Sequence, residues 1–393
     1  MNTYAQPWLS PQISELLAQG QAAAGPAALV SAGAVGSQQY RLLAAVTLPA
    51  GTNPRAVLVA PNGRVYVANR GSANVTVIDS ATNTVLTTLP AGAQPVAMAV
   101  APNGRVYVVN LSSANVTVID SATDTVLTTL PVGTSPTAVA VAPNGHVYVA
   151  NGSSASVTVI DSATNTVLTT LPAGTGPSAV AVAPNGRVYV TNQTSNSVTV
   201  IDSATNTVLT TLPTGTQPLG VAVAPNGRVY VTNQASNNVT VIDSATNTVL
   251  TTLPAGTSPT QLAVAPNGHV YVGNLGSANV TVIDSATDTV LTTLPAGSTP
   301  GFGVAVAPDG RVYVPNFNSN NVTVIDSATD TVLTTLPAGN GPVAVGVAPN
   351  GNIYVGNLTS NDVSVFPPVP TLVSISPAQG VPAGGNTVTL TGT

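Results

Sequence analysis

Ala101-Pro102-Asn103-Gly104-Arg105-Val106-Tyr107-Val108-Val109-Asn110 decides the fold of this chain. It continues through Asn115-Val116-Thr117-Val118-Ile119-Asp120 and Thr125-Val126-Leu127-Thr128-Thr129-Leu130. Its opening tetrapeptide recurs at Ala60, Ala101, Ala142, Ala183, Ala224, Ala265, Ala307 and Ala348, once as Ala-Pro-Asp-Gly; six of the seven intervals are 41 residues and one is 42. A period of 40–45 residues is that of arrays, solenoids and propellers. Each unit reads as four short strands. In this one they are a (Val96–Val100), b (Arg105–Val109), c (Val116–Ile119) and d (Thr125–Leu130). Asn103-Gly104 supplies the positive φ of a tight a–b hairpin, and Asp120 suits an Asx-turn between c and d. Val, Ile, Thr and Tyr fill the strands, as a pleated surface prefers.

Such a sheet cannot bury both faces alone. Stacking the copies face to face and closing them into a ring leaves no bare terminal face. The strand count supports closure. Arg41–Leu48 aligns with a lone d strand, seven complete units follow, and the unit from Val343 stops after c at Phe366-Pro367. That makes 32 strands, or eight sheets of four, with the leading strand completing the last one. Seven sheets plus an unpaired unit would leave strand edges bare, which is unfavourable. The expected fold is therefore an all-β, eight-bladed propeller of four-stranded antiparallel blades. Residues 38–367 would form it, after a leader over 1–37 with a short helix from Ser10-Pro11 through Gln19.

Only 5% of the 393 residues are charged; Lys and Cys are absent, and the formal net charge is −5. The charges are dispersed, so there is no basic footprint for nucleic acid or anionic lipid. No apolar run reaches the roughly 18 residues of a membrane span. The stretch before Arg41 has no basic residue and lacks the charged region of an ordinary secretory signal.

Tyr189-Val190-Thr191-Asn192 and Tyr230-Val231-Thr232-Asn233, with Tyr-Val-x-Asn in the other complete units and the Val-Ile-Asp-Ser-Ala-Thr run, resemble the YVTN β-propeller repeats of bacterial and archaeal surface proteins. The resemblance covers residues 41–366. It implies an extracellular or cell-surface location, a binding or scaffolding role and no shared catalytic residues. Val373-Ser374-Ile375-Ser376-Pro377, Gly380, Gly384-Gly385 and Val388–Thr393 resemble the opening of an IPT/TIG immunoglobulin-like domain. Residues 368–393 are too few for a full sandwich of roughly 100 residues. The resemblance thus implies a monomeric propeller within a longer chain.

The chemistry-bearing residues are sparse. His146 and His269 stand where other copies carry Arg64, Arg105, Arg187, Arg228 and Arg311. They fall in blades three and six, too far apart for one metal, which needs three or four convergent ligands. Asp79, Asp120, Asp161, Asp202, Asp243, Asp284 and Asp326 recur once per blade and read as turn caps paired with the strand-b Arg. The repeated Tyr read as blade packing. Neither His has an acid beside it for a Ser–His–Asp triad. Streptogramin lyases share a similar propeller and use His, Glu and a metal; the only Glu here is Glu15, in the leader. No catalytic residue, metal or cofactor is expected.

The copies differ on one face. The a–b and c–d turns are nearly invariant, whereas the b–c loops and d–a connections vary. Blade seven has the sole insertion, Pro300-Gly301-Phe302-Gly303, and Phe317 in its b–c loop; blade one adds Arg55 and Arg70, and blade eight Asn357 and Asp362. Aromatics and Arg are enriched where partners bind. These six residues are the candidate site for a protein or glycan ligand. The expected function is a non-catalytic binding or scaffold module of an exported bacterial protein, without nucleic acid or membrane insertion. The alternatives are a lyase- or hydrolase-type enzyme working in the central channel and a structural spacer in a surface layer.

Overall fold

A computed structural model describes residues 45–368 and the strands Leu372–Ser376 and Thr389–Gly392. The segment proposed as a leader helix lies outside the described residues. The two last strands pair antiparallel with each other.

Eight four-stranded antiparallel sheets follow one another as blades, each ordered a-b-c-d. In blade one the strands are Pro54–Val59, Arg64–Asn69, Asn74–Asp79 and Thr84–Pro90. Blade eight takes Pro342–Val347, Ile353–Asn357 and Asp362–Phe366 from the end of the repeats and its fourth strand, Val46–Pro49, from the beginning. Val46 faces Val365 and Leu48 faces Val363 in that pair. Leu48, Val363, Val365 and Tyr354 pack with Val65, Val67 and Ile78 of blade one, so the ring is closed as the strand count requires.

Strands b and c are buried on both sides, which explains why apolar residues stand side by side in them, as in Val65–Ala68 and Val77-Ile78, where a half-exposed strand would alternate. Val65 and Val67 face the preceding blade, while Tyr66, Val75, Val77 and Leu89 face Val106, Val108 and Ile119 of the next. Strand d is the outer edge. It carries a bulge in every complete blade, at Leu86 in blade one, where Val77 pairs with Thr87 and Ile78 with Val85. A bulge bends an edge strand away from foreign pairing, and it leaves Leu86 44% exposed.

The invariant turns are inter-blade fasteners. Asn62 donates its side-chain amide to the Ser121 carbonyl of blade two at 2.7 Å. The same bond joins Asn103 to Ser162, Asn144 to Ser203, Asn185 to Ser244, Asn226 to Ser285, Asn267 to Ser327 and, across the closure, Asn350 to Ser80. Positive φ in the a–b turn falls on Gly63, at 83°, and not on Asn62. The sequence reading thus assigned the dipeptide the right turn and missed what its Asn does. Blade seven alone carries Asp309 in this slot. The next blade draws strand d from the other end of the chain, so no continuous c–d turn offers a carbonyl there. Asp309 instead pairs with Arg311 at 3.0 Å.

Candidate functional site

The recurring acids cap turns. Asp79 Oδ1 accepts from the Ala81 amide at 2.8 Å, and the other six recurring Asp repeat this bond. Arg64 and Arg228 reach both their own blade's Asp and the next blade's Asp124 or Asp288. Arg187 pairs with Asp202, while Arg105 donates to the carbonyls of Ser162 and Ala163. The backbone amide of Ala81, with Arg64 adding to it, holds the Asp79 carboxyl below its ordinary pKa. Tyr66, Tyr107, Tyr189 and Tyr230 are fully buried and donate to Asp124, Asn165, Asn247 and Asp288 of the following blade. These acceptors sit at positive φ, near 53°, in the c–d turn. Burial pushes the Tyr107 and Tyr189 hydroxyls up to about 12.

The two His belong to the same fasteners. His146 Nδ1 meets Asn206 at 3.3 Å and His269 Nδ1 meets Asp330 at 3.0 Å. Among the described residues no three His, Cys, Asp or Glu side chains converge. At the turn face the channel opens into a cavity of about 410 Å³ lined by Val223, Val264, Val306, Val347 and neighbouring Pro and Ala, with no titratable group.

The opposite face gathers four of the six candidates. Phe302 and Phe317 meet edge to face, with centroids 5.7 Å apart and planes at 69°. The Arg55 guanidinium carbon lies 5.8 Å from the centre of the Phe302 ring, within cation–π range. Blade eight separates Arg55 from Phe302 along the ring. Strand a is the innermost strand, so this contact passes blade eight at the rim of the channel mouth. Arg70 is exposed beside it and donates to Gln94 at 3.4 Å. Burial, and then the like charge of Arg70, lowers the pKa of Arg55.

The insertion in blade seven fixes Phe302. Gly301 has φ of 94°, and a Cβ there would come within 2.8 Å of the Gly273 Cα and Thr260 Oγ1. Thr260 donates to the Gly301 carbonyl at 2.7 Å, and the Gly301 amide donates to Pro315 at 3.2 Å. Strand a of this blade is consequently cut to Ala305–Val306. Phe317 lies against Gly341, where an added Cβ would meet the ring at 2.9 Å.

Asn357 and Asp362 take a different place. Asn357 is 0% exposed and donates to Asp362 at 2.7 Å and to Ser364 at 2.8 Å, pinning the b–c loop from inside. Asn69, Asn110 and their counterparts in the other blades do the same. The assignment of Asn357 to a ligand surface is therefore corrected, because the residue is fully buried and its NH₂ is spent within the blade, while its Oδ1, like those of its seven counterparts, is buried without a hydrogen-bond partner. Asp362, half-buried, accepts from Asn357 and Ser360. Sequence reasoning missed Asn53, whose amide NH₂ donates to the Leu358 carbonyl at 3.1 Å and whose backbone N–H donates to Asn361 at 2.8 Å, tying blade one to blade eight beside Arg55.

Among solved structures, hydrazine synthase of Kuenenia stuttgartiensis is similar at 22% identity over 81% of this chain and 96% of its own, with a TM-score of 0.59. The computationally designed Ika8 protein is similar at 19% identity over 82% of this chain and 98% of its own, with a TM-score of 0.70. At these identities the likeness is one of fold. No curated protein matches the sequence. A sequence profile of the virginiamycin B lyase family matches residues 42–325, most of the ring, and the chain belongs to that family.

Proposed function

We propose that this chain is a non-catalytic binding module of an exported, cell-surface bacterial protein, which takes a protein or glycan ligand on its b–c/d–a face. The observation that carries the reading is the meeting of Arg55, Phe302 and Phe317 at the channel mouth. Large divergent side chains from non-neighbouring blades converge there on an otherwise repetitive scaffold. Loops on a rigid frame are where binding residues sit, and half-buried aromatic rings with a guanidinium give contact area at small entropic cost. The test is surface plasmon resonance against immobilised glycans and extracellular proteins. The wild type should bind a member of the panel, and replacing both Phe by Ala should weaken that binding at least tenfold with little change in melting temperature. Binding unaffected by the double substitution, or no binding at all, would contradict the reading.

The family's name favours a second reading, a lyase. Such an enzyme needs converging titratable groups. The described residues do not fit the His, Glu and metal set of streptogramin lyases, because His146 and His269 are held singly, in separate blades, by turns on the opposite face. Incubation with virginiamycin B should leave it intact; turnover would establish the lyase.

A further inference from the structure

Every other described Arg of the chain is matched to an acid or a polar acceptor. Arg64, Arg187 and Arg228 pair with Asp; Arg311 pairs with Asp309; Arg105 has two carbonyls; and Arg70 reaches Gln94. The Arg55 side chain has a contact of another kind, the face of Phe302. A ring face satisfies the charge in part and none of the five N–H donors. The group is half-buried, so water compensates only in part. Arg70 on the same face adds repulsion instead of relief. Asp362, the acid of this sector, is engaged by Asn357 and Ser360. A guanidinium kept so, held over a ring face with its N–H donors unmatched, is prepared for a bidentate anion from outside.

We infer that the channel mouth binds an acidic glycan, with the carboxylate of one sugar on Arg55 and a sugar ring against Phe302 and Phe317. This rests on the binding reading above and names its ligand class. A glycan suits the surroundings better than an acidic protein. The b–c and d–a loops of this sector carry uncharged polar groups, namely Asn53, Gln94, Thr299 and Asn318, which keep hydrogen-bonding capacity for sugar hydroxyls beyond their bonds to Leu358, Arg70 and one another. With two Arg on the face and a net charge of −5 overall, the site suits one carboxylate and repels a polyacidic partner.

The experiment is titration calorimetry with matched oligosaccharides that differ by one carboxylate: sialyllactose against lactose, and glucuronosyl-xylotetraose against xylotetraose. In at least one pair the acid should bind about tenfold or more tightly, as a charged hydrogen-bonded pair provides. Arg55→Gln should erase that preference, bringing the acidic and neutral sugars of the pair to equal affinity, and Arg55→Lys should restore part of it. The preference should also shrink with added salt in the wild type, a readout needing no variant. Equal binding within both pairs, no binding by any of the four, or a preference surviving in Arg55→Gln would overturn the inference. Neutral sugars bound in a Phe302- and Phe317-dependent way would sink the carboxylate and leave the binding module standing; no ligand for that face on any panel would sink both.

Discussion

On the face made by the a–b and c–d turns, every blade but the seventh fastens to its neighbour. An Asn amide reaches a Ser carbonyl and a Tyr hydroxyl reaches the next turn's Asn or Asp, as with Asn185 on Ser244 and Tyr189 on Asn247. On the other face Arg55 and Phe302 meet across a blade that lies between them, and no repeated bond requires either residue. Invariance among the copies therefore has a mechanical cause on one face. On the divergent face the bonds repeated by Asn69 and its counterparts stay within each blade, so loop positions outside them, such as Arg70, are left to change.

That contrast can be broken by substitution. Tyr189→Ala should empty a fully buried site and cost about 3–5 kcal/mol, whereas the Phe302 and Phe317 to Ala double variant should cost much less, since both rings are half-buried. Urea midpoints at constant slope read the difference. A loop double variant as damaging as Tyr189→Ala would erase the distinction between the faces.

A smaller effect sharpens it. Asn185→Asp would turn a donor into a carboxylate against the Ser244 carbonyl, at a cost of about 1–3 kcal/mol. Asp309→Asn in blade seven has no such carbonyl to meet, and the new amide oxygen can still accept from the buried Arg311 guanidinium, so it should cost only about 1 kcal/mol. Equal costs at the two positions would mean that the Asn amides do not fasten the blades.

The smallest expected effect is in pH. The hydroxyls of Tyr107 and Tyr189 are raised by burial to about 12. Their contribution is fully present below the unfolded value of about 10 and is lost as pH climbs through the folded one. Unfolding midpoints should fall between pH 10 and 12 in the wild type, and less steeply in Tyr189→Phe. A flat profile would show that these hydroxyls ionise without unfastening anything.

The ring was legible because eight copies state the strand order repeatedly and the two incomplete ends sum to one blade. The fasteners were not, since each partner stands 58 or 59 residues away for Tyr107 and Asn103, in a copy nearly identical to its own. Asp309 was the visible clue: the one departure from Asn falls on the one blade whose neighbour lacks a continuous turn. Asn357 was misplaced although the same Asn stands in that slot in all eight blades, a constancy that marks an internal role. Arg55 and Phe302 were legible as residue types sharing a face. Their contact was not, because it depends on the channel's width and on the glycines that set the loop of blade seven.

Hydrogen exchange with an oligosaccharide bound tests the division between the faces most directly. Protection should be confined to the segments around Arg55, Arg70, Pro300–Gly303 and Asn316–Asn318. Protection centred on the Pro-Asn-Gly turns or the recurring Asp turns, with those loops unchanged, would contradict it.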